Sequence, residues 1–508
     1  MAPDKEIPPM EEAARSPGHG RGTALRRVLT HRPGTSHAQD RGADDSRVLV
    51  RSFAGSLTSR SAVVHPSGAQ EWVRVLAEAG ERGITVRGSG ASYSDAALND
   101  AGTIGATRTA RGLSRSALEP SVLEDGTGVL DVDAGATLGE VLACIIPRGW
   151  SLPVLPGTAR ATVGGALAAD VHGKNHPACG SFAASVLDAT VLTPGEGINR
   201  VGPRRDPDAF WATAGGLGLT GVVLDVRLRL VPVSSSWMVS TDTACDDLDR
   251  VLATMLAHQR GREHVVAWID GHSTGIRTGR GVVSAAAHLT SLDLPARIAE
   301  RPLEYRPGGV RLRAPAAVNL VRPSLVRSAN AMRFTRAAQR HGDRIMDIPS
   351  TLHPLDAVAD WPTLYGRAGL IQYQYSVPDG EERVLGTFLR ALHAAACPPS
   401  LVVLKRLGAA GPGQLSFPSP GWTMALDLPT AAAAAAARVL DHLDDLVCAA
   451  GGRVYLVKDS RLHPDLVTPM YPRLQQWRAI RDRMDPAGVM TSDLDRRLNL
   501  SGRHPGED

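Results

Sequence analysis

The 508-residue sequence has few aromatic side chains, 4% of the total, and almost no net charge, +4 from 56 basic and 52 acidic residues. Those values argue against a base-stacking surface and against a nucleic-acid partner. No stretch approaches ~18 uninterrupted apolar residues, so no membrane-spanning helix is expected. The five cysteines, at positions 144, 179, 245, 397 and 448, are odd in number, widely spaced and without a CxxC pair. Reduced, mostly buried thiols are therefore expected, with no disulfide framework and no metal site. The histidines of His172-Gly173-Lys174-Asn175-His176 are four apart, but Gly173 and Pro177 break the helix that a metal pair would need. Lysine is displaced by arginine throughout, which reads as codon usage and nothing functional. The N-terminus has no apolar run behind Arg26-Arg27, so a cytoplasmic start is expected.

What is present is ordinary globular composition, 43% hydrophobic and 21% charged, in a length suited to two to four domains. Residues 1–45, rich in Pro, Gly, Ser and Arg, read as a disordered tail. From Ala62 onward strands and helices alternate, and the strand Ile84–Val86 runs into Arg87-Gly88-Ser89-Gly90. Further glycine clusters, Pro156-Gly157-Thr158 and Thr162-Val163-Gly164-Gly165, are places where backbone can approach a phosphate or a ring. The one GxGxxG, Gly216–Gly221, follows a helix and precedes a strand, which is the reverse of a dinucleotide fingerprint. After Ser234–Ser236 the pattern mixes strands with long helices. Gln372 and Gln374 are two apart, so a strand carries both on one face.

Eight segments taken in order, RGSGASYSD (87–95), LPGTARATVGGALAADVHGKNH (155–176), DPDAFWATAGGLGLTG (206–221), HPLD (353–356), GLIQYQYSVP (369–378), LSFPSPGW (415–422), VYLVKDSR (454–461) and MDPAGVM (484–490), resemble the vanillyl-alcohol-oxidase-type flavoproteins. Within that group the resemblance is to the decaprenylphosphoryl-β-D-ribose 2′-oxidase family. It implies an α+β fold: a two-subdomain FAD-binding domain of the PCMH type (46–233 and 453–508) with an inserted substrate domain of antiparallel sheet and helices (234–452). By position, it implies FAD contacts from Arg87, Gly88, Gly90, Ser92, Tyr93, Gly157, Thr158, Thr162, Gly164, Gly165, His172, Gly173, Asn175, Tyr455 and Lys458. Ala91 stands where some relatives attach FAD through histidine, so the cofactor is expected to be non-covalent.

The resemblance further implies oxidation of a furanose secondary hydroxyl, most simply the 2′-OH of decaprenylphosphoryl-β-D-ribose, as one half of a 2′-epimerase. A separate NAD(P)H-dependent ketoreductase would complete that reaction. Lys458 and His172 are the candidate catalytic residues. Gln372, Gln374 and Lys405 fall at substrate-facing positions. Thr423 and Ala425 replace the asparagine and cysteine usual there, so the flavin half is better kept than the substrate half. The alternatives are an alditol or aldonolactone oxidase using oxygen, and a non-catalytic flavoprotein scaffold. A plain surface pairing of Lys458 with Asp459 is the structural alternative for that lysine. Finally, 297–344 holds eleven arginines and three acids among scattered apolar residues. It reads as broken helices forming a mobile lid with peripheral attachment to anionic lipid.

Overall fold

The computed structural model describes residues 47–108, 119–307, 312–313 and 319–503. The N-terminal tail and part of the arginine-rich stretch lie outside those residues. Three large sheets organise the described residues, besides a two-stranded parallel pair of Leu312–Arg313 with Val358–Ala359.

The first sheet has four strands in the order Val48–Arg51, Thr58–Val64, Thr103–Ala106, Ile84–Arg87; the first pair is antiparallel and the others are parallel. Helix Ala69–Ala77 makes the parallel crossover and buries Trp72 and Leu76. Trp72 lies so close over Gly105 that a Cβ there would meet its ring at 2.4 Å, so only glycine fits.

The second sheet runs Ser121–Val122, Gly128–Asp133, Val222–Pro232, Val186–Thr193, Gly197–Val201, with Trp150–Ser151 paired to the far end of Val222–Pro232. Helix Leu138–Ile145 packs on it, opened by a capping box in which Thr137 and Glu140 satisfy each other's backbone N–H. Helix Pro207–Thr213 does precede Gly216–Gly221, and the strand Val222–Pro232 follows, as the sequence reading requires.

The third sheet is antiparallel and eight-stranded: Arg344–Asp347, Trp237–Cys245, Gly281–His288, His264–Ile269, Leu401–Leu407, Gly421–Pro429, Leu370–Val377, Arg453–Val454. The chain therefore adds a last strand to this sheet at 453–454 before it returns toward the first. One face is covered by helices Leu248–His258, Arg383–Ala394 and Ala437–Ala449. The alanine run 431–437 is split between two helices: Thr430–Ala435 ends at Ala436, and Ala437–Ala449 starts afresh.

The arginine-rich stretch also departs from expectation. Within it Pro323–Ala338 is one continuous 16-residue helix, not a set of broken ones. It is packed on the third sheet: Arg333 lies 4.9 Å over the Trp268 ring, Arg280 lies 5.0 Å over Phe334, and Asn330 donates to Asp270 Oδ1 at 2.7 Å. Intramolecular cation–π and amide contacts thus occupy side chains that a free lid would leave in solvent. No helix among the described residues is long and apolar enough to cross a membrane.

Candidate active site

Strand alternation builds the site. Leu370–Val377 is buried along its whole length, with Ile371, Tyr373, Tyr375 and Val377 in the apolar core beneath the helices. Gln372, Gln374 and Ser376 take the opposite face. Register then sets Gln372 against Asp427, Gln374 against Ala425 and Ser376 against Thr423 on one neighbour, while Lys405 faces Thr423 from the next strand. The expected substrate positions share one polar face with Asp427, which the sequence reading did not single out.

Two relays cross this face. Gln374 Nε2 donates to Thr423 Oγ1 at 3.1 Å and lies 3.0 Å from His172 Nε2, while Thr423 Oγ1 donates to the Tyr375 carbonyl at 2.8 Å. That last bond uses the only hydroxyl hydrogen of Thr423, so the amide must donate to it. The same NH2 group then donates to His172 Nε2, leaving Nδ1 as the N–H of the neutral ring. His172 Nδ1 is buried and has no partner. Burial pushes the His172 pKa well below the ordinary histidine value, helped by the nearby Lys405, His176 and Lys458. Phe417 and Tyr455, stacked at 4.5 Å, wall the imidazole at 5.5 and 5.4 Å.

In the second relay, Lys458 Nζ donates to Gln372 Oε1, and Gln372 Nε2 donates to Asp427 Oδ1 at 2.6 Å. The Lys458 ammonium also sits 3.8 Å above the Tyr93 ring. Lys458 does not pair with Asp459, whose Oδ2 instead accepts from Arg497 at 2.8 Å. Burial lowers the Lys458 pKa to about 7, against the raising effect of Asp427, with Lys405 adding to the drop. Burial raises Asp427 to about 6.

The whole chain contains only four lysines, at 5, 174, 405 and 458. Three of them meet here. Burial lowers Lys405 to about 8 and, with Lys405 and Arg333 nearby, Lys174 to about 7. Lys174 Nζ donates to the Thr351 carbonyl at 2.5 Å. Lys405 depresses His172, Lys174, His176 and Lys458 alike, so it lies among them. Scarcity was the signal: the codon-usage reading of lysine holds for the chain and fails for these three.

The cofactor side is a set of braced loops. Tyr93 N and Ser94 N donate to the Val457 carbonyl at 3.1 and 3.2 Å, and Ser92 Oγ reaches the same oxygen at 3.1 Å, fixing this loop beside Lys458. Gly88 and Gly90 permit the loop: a Cβ at Gly88 would lie 2.3 Å from Thr162 Oγ1, and Gly90 has φ +69°. Arg87 braces this loop from within the protein. Its guanidinium donates to the carbonyls of Ala97 and Arg51 at 3.1 and 2.9 Å and fills the space beneath Gly90, so it supports the loop rather than pointing at a phosphate.

Thr162 caps helix Val163–Ala168 by accepting from Gly165 N at 3.1 Å, and Gly164 N donates to Ala134 O at 2.9 Å. Thr158 is also committed within the protein, donating to Asp356 Oδ1 at 2.7 Å, while Ala159 N reaches Oδ2 at 2.7 Å. Asn175 Nδ2 donates to Pro153 O at 2.8 Å, Gly173 makes room for the Asn175 amide, and Tyr455 OH donates to Ala169 O at 2.7 Å.

These loops fit a large cofactor with polar edges. A Cβ at Gly157 would meet nothing within 4 Å, so its backbone borders open space. Two buried polar atoms nearby in the chain, His172 Nδ1 and Asn175 Oδ1, are orphaned. Such a cradle, beside a buried face rich in titratable groups, suits redox chemistry on a polar substrate.

Comparison with known proteins bears this out. Residues 60–202 match the FAD binding domain family. The chain is 34% identical to decaprenylphosphoryl-beta-D-ribose oxidase of Mycolicibacterium smegmatis over 84% of its own length and 91% of that protein. It is 40% identical to an uncharacterized Streptomyces coelicolor protein, over 72% of this chain and all of that one. Similarity to the L-gulono-1,4-lactone dehydrogenase of Mycobacterium tuberculosis is narrower, 28% over 34% of this chain and 38% of the relative. The cradle, the polar face and these relatives agree: the chain is an FAD-dependent oxidoreductase acting on a CH–OH group, and it belongs to the family of decaprenylphosphoryl-β-D-ribose oxidase.

Proposed function

We propose that the chain oxidises a ring hydroxyl of a polyprenyl-phosphate furanose, with the 2′-OH of decaprenylphosphoryl-β-D-ribose as the leading substrate. The observation that carries this reading is the buried Lys458–Gln372–Asp427 relay, with the ammonium of Lys405 close by. The relative's name supplies the sugar.

FAD, when bound, supplies the acceptor for two electrons and the carbinol hydrogen. Lys458 takes the hydroxyl proton, since a pKa of about 7 leaves a sizeable neutral fraction near neutral pH. Once protonated, it is held by Gln372 Oε1 and the Tyr93 face. Gln372 cannot swing away because Asp427 holds its NH2 group. His172 presents its Nδ1–H as a neutral donor. Lys405 and Lys174 attract an anionic group on the substrate, as a phosphate would require. The ketone product would pass to a separate NAD(P)H-dependent ketoreductase, completing a 2′-epimerisation.

Anaerobic bleaching of the yellow protein by prenylphosphoryl ribose, compared with free sugars and lactones, tests the substrate. Bleaching by a lactone alone would favour an aldonolactone-type oxidase, the reading supported by Thr423 and Ala425 and by the lactone-oxidising relatives. The buried relay counts against a non-catalytic scaffold. The bleaching rate is expected to rise about tenfold per pH unit up to about 7 and then level as Lys458 loses its proton. A flat profile from pH 6 to 8 would remove Lys458 as the base.

Helix Pro323–Ala338 keeps an outward face on which Leu325 and Met332 are 54% and 52% exposed, with Arg322 and Arg336 beside them. We extend the proposal to a cytoplasmic location with peripheral attachment to anionic lipid through that face. Flotation on anionic but not neutral vesicles, lost in the Leu325→Glu/Met332→Glu variant, is the expected result. Equal flotation on both would end it.

A further inference from the structure

We propose that Glu263, His264 and His288 form a binding site for a zinc-type divalent transition-metal ion, outside the catalytic face and independent of the substrate. Strand His264–Ile269 pairs with Gly281–His288 so that His264 faces Ala286, and His288, two residues further, shares that face. The two rings lie 6.0 Å apart at 71°, edge toward face. Nδ1 of each is buried and without a hydrogen-bond partner. Glu263 Oε2 approaches His264 Nε2 at 3.7 Å. One ligand atom from each of the three residues lies within 4.8 Å of the others.

Tetrahedral zinc with bonds of ~2.0–2.1 Å spaces its ligands roughly 3.4 Å apart. Closing the set from 4.8 Å needs only side-chain rotation, because Glu263 is exposed and His288 is partly exposed. Two imidazoles and one carboxylate, with the fourth position left to water, are a zinc donor set and a poor one for magnesium or calcium. Lys174 opposes a cation here, and the Glu263 carboxylate offsets it.

The site lies where the sheet holds the catalytic loop, since Val265 N donates to the Lys174 carbonyl at 3.2 Å. A bound ion would tie Glu263 and His264 to the neighbouring strand and stiffen that attachment.

The test uses the yellow holoprotein, stripped with a chelator and reloaded with zinc chloride, then read by elemental analysis and thermal unfolding. One equivalent of zinc and a rise of about 2–5 °C in Tm are expected at saturating metal. His288→Asn and Glu263→Gln, at accessible positions, should each lose the zinc and the rise while keeping the flavin. Cys179→Ser should keep both. Absence of stoichiometric zinc in the wild type, retention of zinc in His288→Asn, or its loss in Cys179→Ser instead would each overturn the assignment.

Discussion

The two faces of strand Leu370–Val377 are equally buried and chemically opposite. Toward the helices, Tyr375 stacks on Phe388 at 4.4 Å, and the charge there is matched: Tyr373 donates to Asp444, which pairs with Arg461 at 2.7 Å. Toward the cofactor loops, Asp427 Oδ2 and His172 Nδ1 have no partner, and the charge of Lys405 is met by no carboxylate among the described residues. Incomplete polar networks are costly inside a protein. A chain that matches its buried charge on one face and leaves charge unmatched on the other has shaped the second for a ligand.

That contrast can be broken experimentally. The largest effect is expected at Lys458→Met, which should slow substrate bleaching by ~10³–10⁴-fold while FAD stays bound. Wild-type bleaching would refute the relay. On the opposite face, Phe388→Ala should cost about 4 kcal/mol of unfolding free energy, with the bleaching rate of the folded fraction unchanged. A rate loss larger than the stability loss would show that the faces are not separable.

Lys405→Met should do the reverse, stabilising the protein by roughly 2 kcal/mol by removing an unpaired buried cation, while raising KM. The pH dependence gives a finer check. With Lys405 lowered to about 8 from 10.5, the unfolded chain binds more protons between those values. Wild-type stability should therefore gain a rising component across that window, and Lys405→Met should lack it. Urea titrations at pH 8 and 10 decide this. The smallest change is expected for Tyr373→Phe, about 1 kcal/mol of stability and none in rate.

Much of this contrast was legible beforehand, because period-2 alternation places Gln372 and Gln374 together whatever the fold. Strand and helix positions also followed from apolar periodicity and turn residues, as at Leu370–Val377 and Pro207–Thr213. Asp427 was not legible, since its place opposite Gln372 depends on a register between strands 55 residues apart. Where the Arg87 side chain turns was not legible either, because a loop motif specifies the backbone path and leaves open where a long side chain goes. The arginine-rich stretch was misread for a related reason: its composition resembles a solvated surface, and only the stacking of Arg333 on Trp268 shows that part of it is packed. The three site lysines were each visible and their convergence was not.

The first sheet is finished by residues 489–497. Ile84 N donates to Val489 O at 2.8 Å and its carbonyl accepts from Thr491 N at 3.0 Å; Met490 joins Trp72 in one cluster; Arg496 reaches Asn99 at 2.6 Å; and Arg497 grips Asp95 and Asp459. A ribosome adding ~5–20 residues per second needs roughly 20–80 s to travel from Ile84 to these residues. Throughout that interval the cofactor loops of the nascent protein have an unfinished layer beneath them, so assembly of the flavin cradle is deferred until residues 489–497 have been made. Ribosome-bound chains stopped before residue 484 should be cut readily by protease within the first sheet and fail to retain FAD, and protection at that stage would show that the N-terminal layer folds without its final segment.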